Sequence, residues 1–306
     1  MRISRRPRPL GQPAAVTIGS FDGLHLGHQR LIEALNEAAH SRGLASTVVT
    51  FEPQPREFFD PKGAPARLAA LNDKVRRLGA MGVDQLVVLS FNSALRAMSA
   101  ADFVQHVLID GLNARWVQVG DDFRFGNDRR GDVDFLRLYD FEVQQLESQR
   151  LGDDRVSSTA IRTSLAEGHL QEAAELLGEP YTLSGRVVHG RKLGRTIGVP
   201  TANILMNHPK LATNGVFAVR TRVGDRWLPG VANLGPKPTV GDERNWLEVH
   251  LFDADLDLYG QRLDVQLWQR LRGIERFASL DALKNQIQTD IQAARAWLEA
   301  ADVSGL

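Results

Sequence analysis

The first half of the chain alternates short hydrophobic runs with amphipathic segments of helical period. The runs are rich in β-branched residues, and they predict strands at 14–18, 45–51, 85–90, 116–119 and 141–146. From His28 to His40 apolar residues recur every three or four positions and Gly43 supplies a stop, which predicts a helix. Strands that alternate with helices predict a parallel, doubly wound sheet, with ligands at the carboxyl ends of its strands.

After residue 178 the pattern changes to closely spaced strands without intervening helices. The hydrophobic runs predict strands at 187–188, 216–223, 247–252 and 263–268. A meander of short strands with Gly and Pro turns is typical of a small antiparallel barrel or sandwich. From about Ser279 an apolar stripe predicts a final helix that packs on this barrel or between domains. We therefore predict an α/β domain over 1–178 and a β domain over 179–306.

Composition excludes several classes of function. The 37 basic residues balance 37 acidic ones, which argues against a nucleic-acid-binding protein. The chain has no cysteine, which excludes disulfides, thiolate metal sites and cysteine nucleophiles. No apolar run approaches the ~18 residues of a membrane span. The arginine-rich start permits a transit peptide, but the strand predicted at 14–18 leads directly into a functional-looking loop, so we expect a cytoplasmic protein.

A glycine- and histidine-rich segment, 19–28, joins the first predicted strand to the first predicted helix. Its sequence is GSFDGLHLGH, and the helix entrance offers N–H groups and a dipole that favour a phosphate. The three-residue spacing of His25 and His28 can aim both imidazoles at one point, and Gly27 lets a base or phosphate approach the backbone. Such donors would stabilise charge on an α-phosphate during in-line displacement. The alternative is a helix cap with a glycine turn.

Two further stretches of the first half carry side chains suited to a nucleotide. Residues 119–126 leave a predicted strand end and include Asp122 and Phe123. The phenylalanine there also fits a role in core packing. Residues 155–162 predict a serine-capped helix start with hydroxyl and guanidinium groups, which fits a phosphate cradle or an ordinary helix cap.

These three segments, in this order, resemble the adenylyltransferase module of bacterial bifunctional FAD synthetases, within the H-x-G-H nucleotidyltransferase superfamily. The resemblance covers nearly all of 14–165 and implies a Rossmann-like domain that transfers an adenylyl group from ATP to FMN, giving FAD and pyrophosphate. It implies that His25 and His28 are catalytic and that Asp122 and Phe123 lie at the flavin or nucleotide. The ATP and phosphate contacts that it implies are Gly19, Ser20, Phe21, Asp22, Gly27, Ser158, Thr159 and Arg162. Many relatives carry His where Gln54 stands, and Gln cannot carry a charge.

The second half contains a glycine-rich, cationic segment at 190–203. Its candidates for a loop over phosphates are Gly190, Lys192, Gly194 and Arg195. Thr201 and Asn203 are two residues apart in an extended segment, so their oxygens face one side, where they suit Mg²⁺ or an ordinary turn hydrogen bond. Glu248 projects away from its apolar neighbours, so it suits either a proton acceptor or a solvated surface carboxylate.

These stretches, with 230–240 and 257–260, resemble riboflavin kinase over about residues 181–275. The resemblance implies a six-stranded Greek-key β-barrel in which Mg-ATP phosphorylates riboflavin. It also implies that Thr201 and Asn203 lie near the metal and that Glu248 is the base. Relatives usually have Arg where Lys237 stands, which would replace a bidentate contact by a point charge.

Together the two resemblances imply a bifunctional enzyme that uses ATP to convert riboflavin to FMN and FMN to FAD. The predicted partners are riboflavin, FMN, FAD and ATP, with Mg²⁺ and without nucleic acid or membrane; protein partners are left open. One alternative is a single-activity FMN adenylyltransferase with a non-catalytic, flavin-binding barrel. Another is an aminoacyl-tRNA synthetase fragment, which should show a Lys-rich second signature and a basic RNA surface, and neither is evident.

Overall fold

The computed structural model describes residues 1–147, 149–152, 154–190, 198–206, 208, 210–236 and 244–304. It contains two compact units, Met1–Pro65 with Ala69–Ser157 and Ala66–Leu68 with Ser158–Leu306. The domain boundary at residue 178 stays a prediction. Four residues singled out in the sequence lie outside the described residues: Lys192, Gly194, Arg195 and Lys237.

The first unit is built on a six-stranded parallel sheet, as the alternating pattern predicts. Its strands, in chain order, are β1 (Arg2–Ser4), β2 (Ala14–Ile18), β3 (Ala45–Glu52), β4 (Gln85–Ser90), β5 (Ala114–Gly120) and β6 (Glu142–Leu146). Their order in the sheet is β1-β4-β3-β2-β5-β6. The chain moves outward from β2 through β3 to β4 and then returns to β5 on the other side of β2. The crevice where such a sheet binds ligands therefore lies between the carboxyl ends of β2 and β5.

Helices cover both faces of this sheet. They are α1 (Leu26–Arg42), α2 (Pro55–Phe59), α3 (Leu71–Ala80), α4 (Ser93–Ala97), α5 (Ala100–Phe103) with a π-helical turn at Val104–Ile109, and α6 (Val133–Leu136); a hairpin, β7 (Arg150–Leu151) and β8 (Asp154–Arg155), follows. Alternate strand residues point to opposite faces, so Val48 packs with α1 and α3 while Val49 packs with the π-helical turn. The predicted stop of α1 is confirmed, because Gly43 caps it in the left-handed region at φ 63°.

The second unit contains a closed six-stranded antiparallel barrel. The helices α7 (Ser158–Glu167) and α8 (Leu170–Leu177) precede the strands β9 (Thr182–Val188), β10 (Ala202–Met206), β11 (Gly215–Val223), β12 (Arg226–Pro236), β13 (Asn245–Leu251) and β14 (Arg262–Arg272). The barrel order is β10-β13-β12-β11-β14-β9, and its neighbours β10–β13 and β11–β14 are the crossovers of a Greek key.

The predicted final helix is α9 (Leu280–Ser304), and it packs on the barrel. Its residues Ile291, Ala294 and Leu298 are buried against Val216 and Val231 of the strands. Among the described residues, every helix is too short or too polar to cross a bilayer.

Candidate active sites

The first candidate site is the loop 19–25, which leaves the carboxyl end of β2 and enters α1. His25 is the N-cap of α1, and its Nδ1 accepts a hydrogen bond from the His28 N–H at 3.3 Å. The two imidazole rings stack with centroids 3.6 Å apart and 17° between their planes. The structure therefore brings both predicted histidines together at the sheet edge next to the β2/β5 crevice.

The backbone of this loop is held in a strained conformation by its own side chains. Phe21 and Leu24 have left-handed φ angles of 47° and 45°, which non-glycine residues rarely adopt, and both side chains are buried in the core. The buried Asp22 carboxylate accepts a hydrogen bond from the Ala69 N–H at 3.2 Å. The Gly19 N–H donates to the Val49 carbonyl at 3.0 Å, which ties the start of the loop to β3.

Gly27 lets the His25 ring lie against the first turn of α1. A Cβ at Gly27 would lie 3.3 Å from the Cε1 and Nδ1 atoms of that ring. This separation is tighter than an ordinary van der Waals contact, so a side chain here would require the His25 ring to shift by a few tenths of an ångström.

Two cations from α3 contact the carbonyl groups of the same loop. The Lys74 ammonium, on a side chain only 2% exposed, donates to the Ser20 carbonyl and to the Thr50 hydroxyl. The Arg77 guanidinium donates to the carbonyls of Gly23 at 2.9 Å and Leu24 at 3.2 Å. The sequence analysis missed both residues because α3 itself was not predicted.

His28 lies in an environment that keeps its imidazole neutral. Burial is the main cause that lowers its pKa well below the usual 6.5, and the nearby charges of His25, Lys74 and Arg77 lower it further. Its Nδ1 is buried and has no hydrogen-bond partner among the described residues. A neutral ring can donate from one nitrogen only.

The segment after β5 reaches the same edge of the sheet, because β2 and β5 are parallel neighbours. Asp122 accepts a hydrogen bond from Arg155 at 2.7 Å and is exposed. Phe123 stacks on Phe125 with ring centroids 5.3 Å apart, and both pack against the core, as the packing alternative expects. Gln54 caps α2, and its backbone N–H donates to the Glu57 carboxylate at 2.9 Å.

An aromatic cluster that the sequence analysis missed lies beyond the ends of β3 and β4. The Phe91 ring contacts those of Phe51, Phe58 and Phe59 at centroid distances of 5.8, 5.4 and 5.7 Å. Phe59 is 59% exposed, and the Arg96 guanidinium lies 5.5 Å from the centre of its ring. The adjacent pair Phe58-Phe59 was the available sequence signal.

Three further predicted phosphate contacts lie at the start of α7, in the second unit. The predicted helix start is confirmed at Ser158. The Arg162 side chain donates to the carbonyls of Ala66 at 2.6 Å and Ser158 at 3.1 Å, and Thr159 is exposed. The part of Ser158, Thr159 and Arg162 in binding phosphate stays a prediction.

The second candidate site is a polar row across three strands of the barrel. Glu248 on β13 lies directly opposite Asn203 on β10 and directly opposite Asn233 on β12. Directly paired residues present their side chains on one face, so the carboxylate lies between two amides. Leu247 and Val249 are buried in the barrel interior, which confirms that Glu248 projects from the opposite face. The sequence did not single out Asn233, because its position opposite Glu248 depends on the register between β12 and β13.

The predicted metal pair lies beside this row. The Asn203 Nδ2 donates to the Thr201 carbonyl at 3.2 Å, which fixes the orientation of the amide. Gly190 covers it closely, since a Cβ there would lie 2.7 Å from the amide atoms. Among the described residues, no three His, Asp or Glu side chains cluster as metal ligands. A hydroxyl and an amide fit Mg²⁺, which commonly takes few protein ligands and completes its shell with water and substrate phosphates.

A cavity of about 440 Å³ opens next to Thr201. The 254–259 segment forms one wall, and the end of the barrel, at Val187, Ala202 and Val249, forms another. Pro200 also lines the cavity, and its carbonyl lies 2.8 Å from the His250 Nδ1. The cavity is large enough for part of a nucleotide.

Comparisons with known proteins match the two parts of the chain to two different families. A family model described as FAD synthetase matches residues 8–160, and one described as riboflavin kinase matches residues 177–298. The bifunctional riboflavin kinase/FMN adenylyltransferase of Pseudomonas fluorescens is 48% identical over 94% of each chain. The Escherichia coli K12 enzyme of the same description is 45% identical over 96% of this chain and 94% of its own length.

Among solved structures, a Streptococcus pneumoniae chain described as a macrolide-efflux protein superposes with a TM-score of 0.81. It is 30% identical and the match covers 96% of this chain and 98% of that one. The two chains therefore share a fold along their whole length.

Proposed function

The chain belongs to the bifunctional riboflavin kinase/FMN adenylyltransferase family, and on that premise we propose which residues carry each reaction. It phosphorylates riboflavin to FMN and adenylylates FMN to FAD, with ATP as the substrate of both steps. We assign adenylyl transfer to loop 19–25 and phosphoryl transfer to the Glu248 row. This assignment rests on one observation. The stacked histidines lie within the FAD synthetase match, and the Glu248 row lies within the riboflavin kinase match.

In adenylyl transfer, a phosphate oxygen of FMN attacks the α-phosphorus of ATP in line, and the bond to pyrophosphate breaks. Loop 19–25 receives the phosphates with its backbone N–H groups, and His25 and His28 stabilise the charge that develops on the α-phosphate. The buried Nδ1 of His28 makes no hydrogen bond among the described residues, and we assign the proton that the neutral ring donates to Nε2.

We place the flavin of this reaction beside the same edge of the sheet. The exposed ring of Phe59, backed by Phe91, offers a flat aromatic surface of the kind on which an isoalloxazine ring stacks. Asp122 lies at the β5 end of the crevice, where it suits a polar group of the flavin or nucleotide.

In phosphoryl transfer, Glu248 accepts the proton of the terminal ribityl hydroxyl of riboflavin as its oxygen attacks the γ-phosphorus of ATP and the bond to ADP breaks. Asn203 and Thr201 would hold Mg²⁺, which neutralises charge on the phosphates. The cavity beside Thr201 receives the nucleotide. That Gly190, Lys192, Gly194 and Arg195 contact the phosphates stays a prediction, and the last three lie outside the described residues.

A time course with purified protein tests the assignment of two activities. Riboflavin, ATP and Mg²⁺ are incubated with the enzyme, flavins are separated by chromatography, and FMN replaces riboflavin in a parallel reaction. We expect FMN to appear first and then to give way to FAD, with both steps lost when a chelator removes Mg²⁺. A barrel that only binds flavin would leave riboflavin unchanged while the FMN reaction still yielded FAD. The cytoplasmic location and the absence of nucleic-acid binding stay predictions.

A further inference from the structure

Helix α3 presents two cations to one side of loop 19–25. Lys74 and Arg77 are three residues apart, so they lie on neighbouring positions of the same helix face. Together they hold the carbonyls of Ser20, Gly23 and Leu24. Burying an ammonium is costly even when it is hydrogen bonded, so a nearly fully buried lysine at this position calls for an explanation.

Peptide geometry links these three carbonyls to three N–H groups. In a planar trans peptide, the carbonyl of one residue and the N–H of the next point in opposite directions. The carbonyls of Ser20, Gly23 and Leu24 point toward α3, so the N–H groups of Phe21, Leu24 and His25 point away from it. The two cations hold this orientation of the loop, together with the Gln29 amide, which also donates to the Leu24 carbonyl at 2.9 Å.

Two of these donors are left without an acceptor in the described part of the chain. Neither the Phe21 N–H nor the Leu24 N–H makes a hydrogen bond there, although both residues are buried. Both also have left-handed φ angles, of 47° and 45°. Backbone N–H groups without a partner are strong donors, so this side of the loop can receive an anion.

We propose that Lys74 and Arg77 are positioning residues of adenylyl transfer, which hold loop 19–25 so that its N–H groups face the ATP phosphates. This inference rests on the proposed assignment of the loop to ATP. The two side chains act through the backbone and from behind the loop, and they touch neither substrate. Lysine and arginine side chains suit this role because they donate hydrogen bonds and accept none.

Lys74 and Arg77 also affect the pKa of His28. The charged or titratable groups that act on this imidazole are His25, Lys74 and Arg77, and each lowers its pKa. Removal of either α3 cation therefore raises the pKa of His28 and moves its protonation to higher pH. Loss of folded protein alone would lower kcat for FMN adenylylation without changing KM for ATP.

The test compares Lys74→Met and Arg77→Met with the matched control Arg76→Met. Arg76 is on the same helix and pairs with Asp73 at 2.9 Å. For each protein, kcat and KM for ATP in FMN adenylylation are measured across the acid limb. Urea unfolding followed by circular dichroism reports on folding of the first unit, and riboflavin phosphorylation by the same sample reports on the second.

We expect kcat/KM of FMN adenylylation to fall roughly tenfold or more in Lys74→Met and in Arg77→Met. Their acid limbs should shift to higher pH, further for Lys74→Met, because Lys74 lowers the pKa of His28 more than Arg77 does. Riboflavin phosphorylation should be unchanged, and Arg76→Met should match the wild type in both reactions.

Wild-type adenylylation and an unshifted acid limb in both variants would overturn the inference, as would an equal loss of both activities. If Lys74→Met does not fold, Arg77→Met alone decides, because Arg77 holds two of the three carbonyls. His28→Ala separates this result from the assignment of the loop. If His28→Ala still makes FAD, the assignment of loop 19–25 to adenylyl transfer fails. If His28→Ala makes no FAD but Lys74→Met and Arg77→Met make FAD as the wild type does, only the positioning role of Lys74 and Arg77 fails.

Discussion

At the scale of single residues, the electrostatics of His28 connect the proposed chemistry to stability. Its imidazole is kept neutral in the folded protein because burial and neighbouring cations lower its pKa. In the unfolded chain the same group takes up a proton near its usual pKa of 6.5. Below that pH the unfolded state binds more protons than the folded state, so acid favours unfolding.

We therefore expect the free energy of unfolding of the wild-type protein to decrease as the pH falls below about 6.5. His28→Gln removes the titrating group and should flatten part of this dependence. Urea unfolding followed by circular dichroism at several pH values measures both proteins. Equal slopes of unfolding free energy against pH in the two proteins would contradict the lowered pKa of His28.

A second prediction at this scale concerns Gly27. Alanine would place its Cβ 3.3 Å from the His25 ring and tilt the histidine pair, although alanine favours a helix more than glycine does. Gly27→Ala should thus keep or raise the melting temperature while FMN adenylylation falls roughly tenfold or more.

Thermal unfolding and the two activity assays give these values on one sample of Gly27→Ala. Riboflavin phosphorylation is the control, because Gly27 lies in the first unit and the barrel in the second. Full adenylylation by this variant would mean that the stacked geometry of His25 is not needed.

At the scale of secondary-structure elements, periodicity predicted what depends on local burial and missed what depends on long-range contacts. The strands β2 and β4 were predicted at their observed bounds, because each is a continuous hydrophobic run. Helix α3 was missed, and a charged residue such as Lys74 is not expected inside a protein. Its burial is set by the carbonyl of Ser20, 54 residues away along the chain.

The barrel also has features that local sequence patterns do not predict. Strand β12 has 11 residues but contains Pro229, Gly230 and Gly235, which interrupt a strand pattern. The outward direction of Glu248 followed from alternation within one strand. Its neighbours Asn203 and Asn233 follow from the pairing of three strands, which no local pattern shows.

The attachment of α9 to the barrel gives a prediction at this scale. Arg272 on β14 donates to the buried Asp290 carboxylate on α9 at 2.8 and 2.9 Å. Asp290→Ala leaves the Arg272 guanidinium without this partner and should lower the unfolding free energy by about 3–5 kcal/mol. Replacing both residues, as Arg272→Met with Asp290→Leu, should recover much of the loss.

Urea unfolding of these variants measures the effect of the pair. The matched control is Asp253→Ala, which breaks the exposed pair between Asp253 and Arg295, also between the barrel and α9. It should cost far less, because solvent screens that pair. Equal losses from Asp253→Ala and Asp290→Ala would show that burial does not set the strength of the attachment.

At the scale of the whole molecule, the histidines that we propose for adenylyl transfer lie in the first compact unit, and the Glu248 that we propose for phosphoryl transfer lies in the second. The product of the kinase step is the substrate of the adenylyl step. Because His28 and Glu248 lie in different units, a substitution at one of them should leave the other reaction active. We therefore expect the two activities to be lost separately.

The product pattern of His28→Ala and Glu248→Ala tests that claim most directly. Each protein is incubated with ATP, Mg²⁺ and either riboflavin or FMN, and the flavins are separated by chromatography. We predict that His28→Ala accumulates FMN from riboflavin and makes no FAD, whereas Glu248→Ala leaves riboflavin unchanged but converts supplied FMN to FAD. Loss of both activities in either variant, or FAD formation by His28→Ala, would contradict the division of the two reactions between these residues.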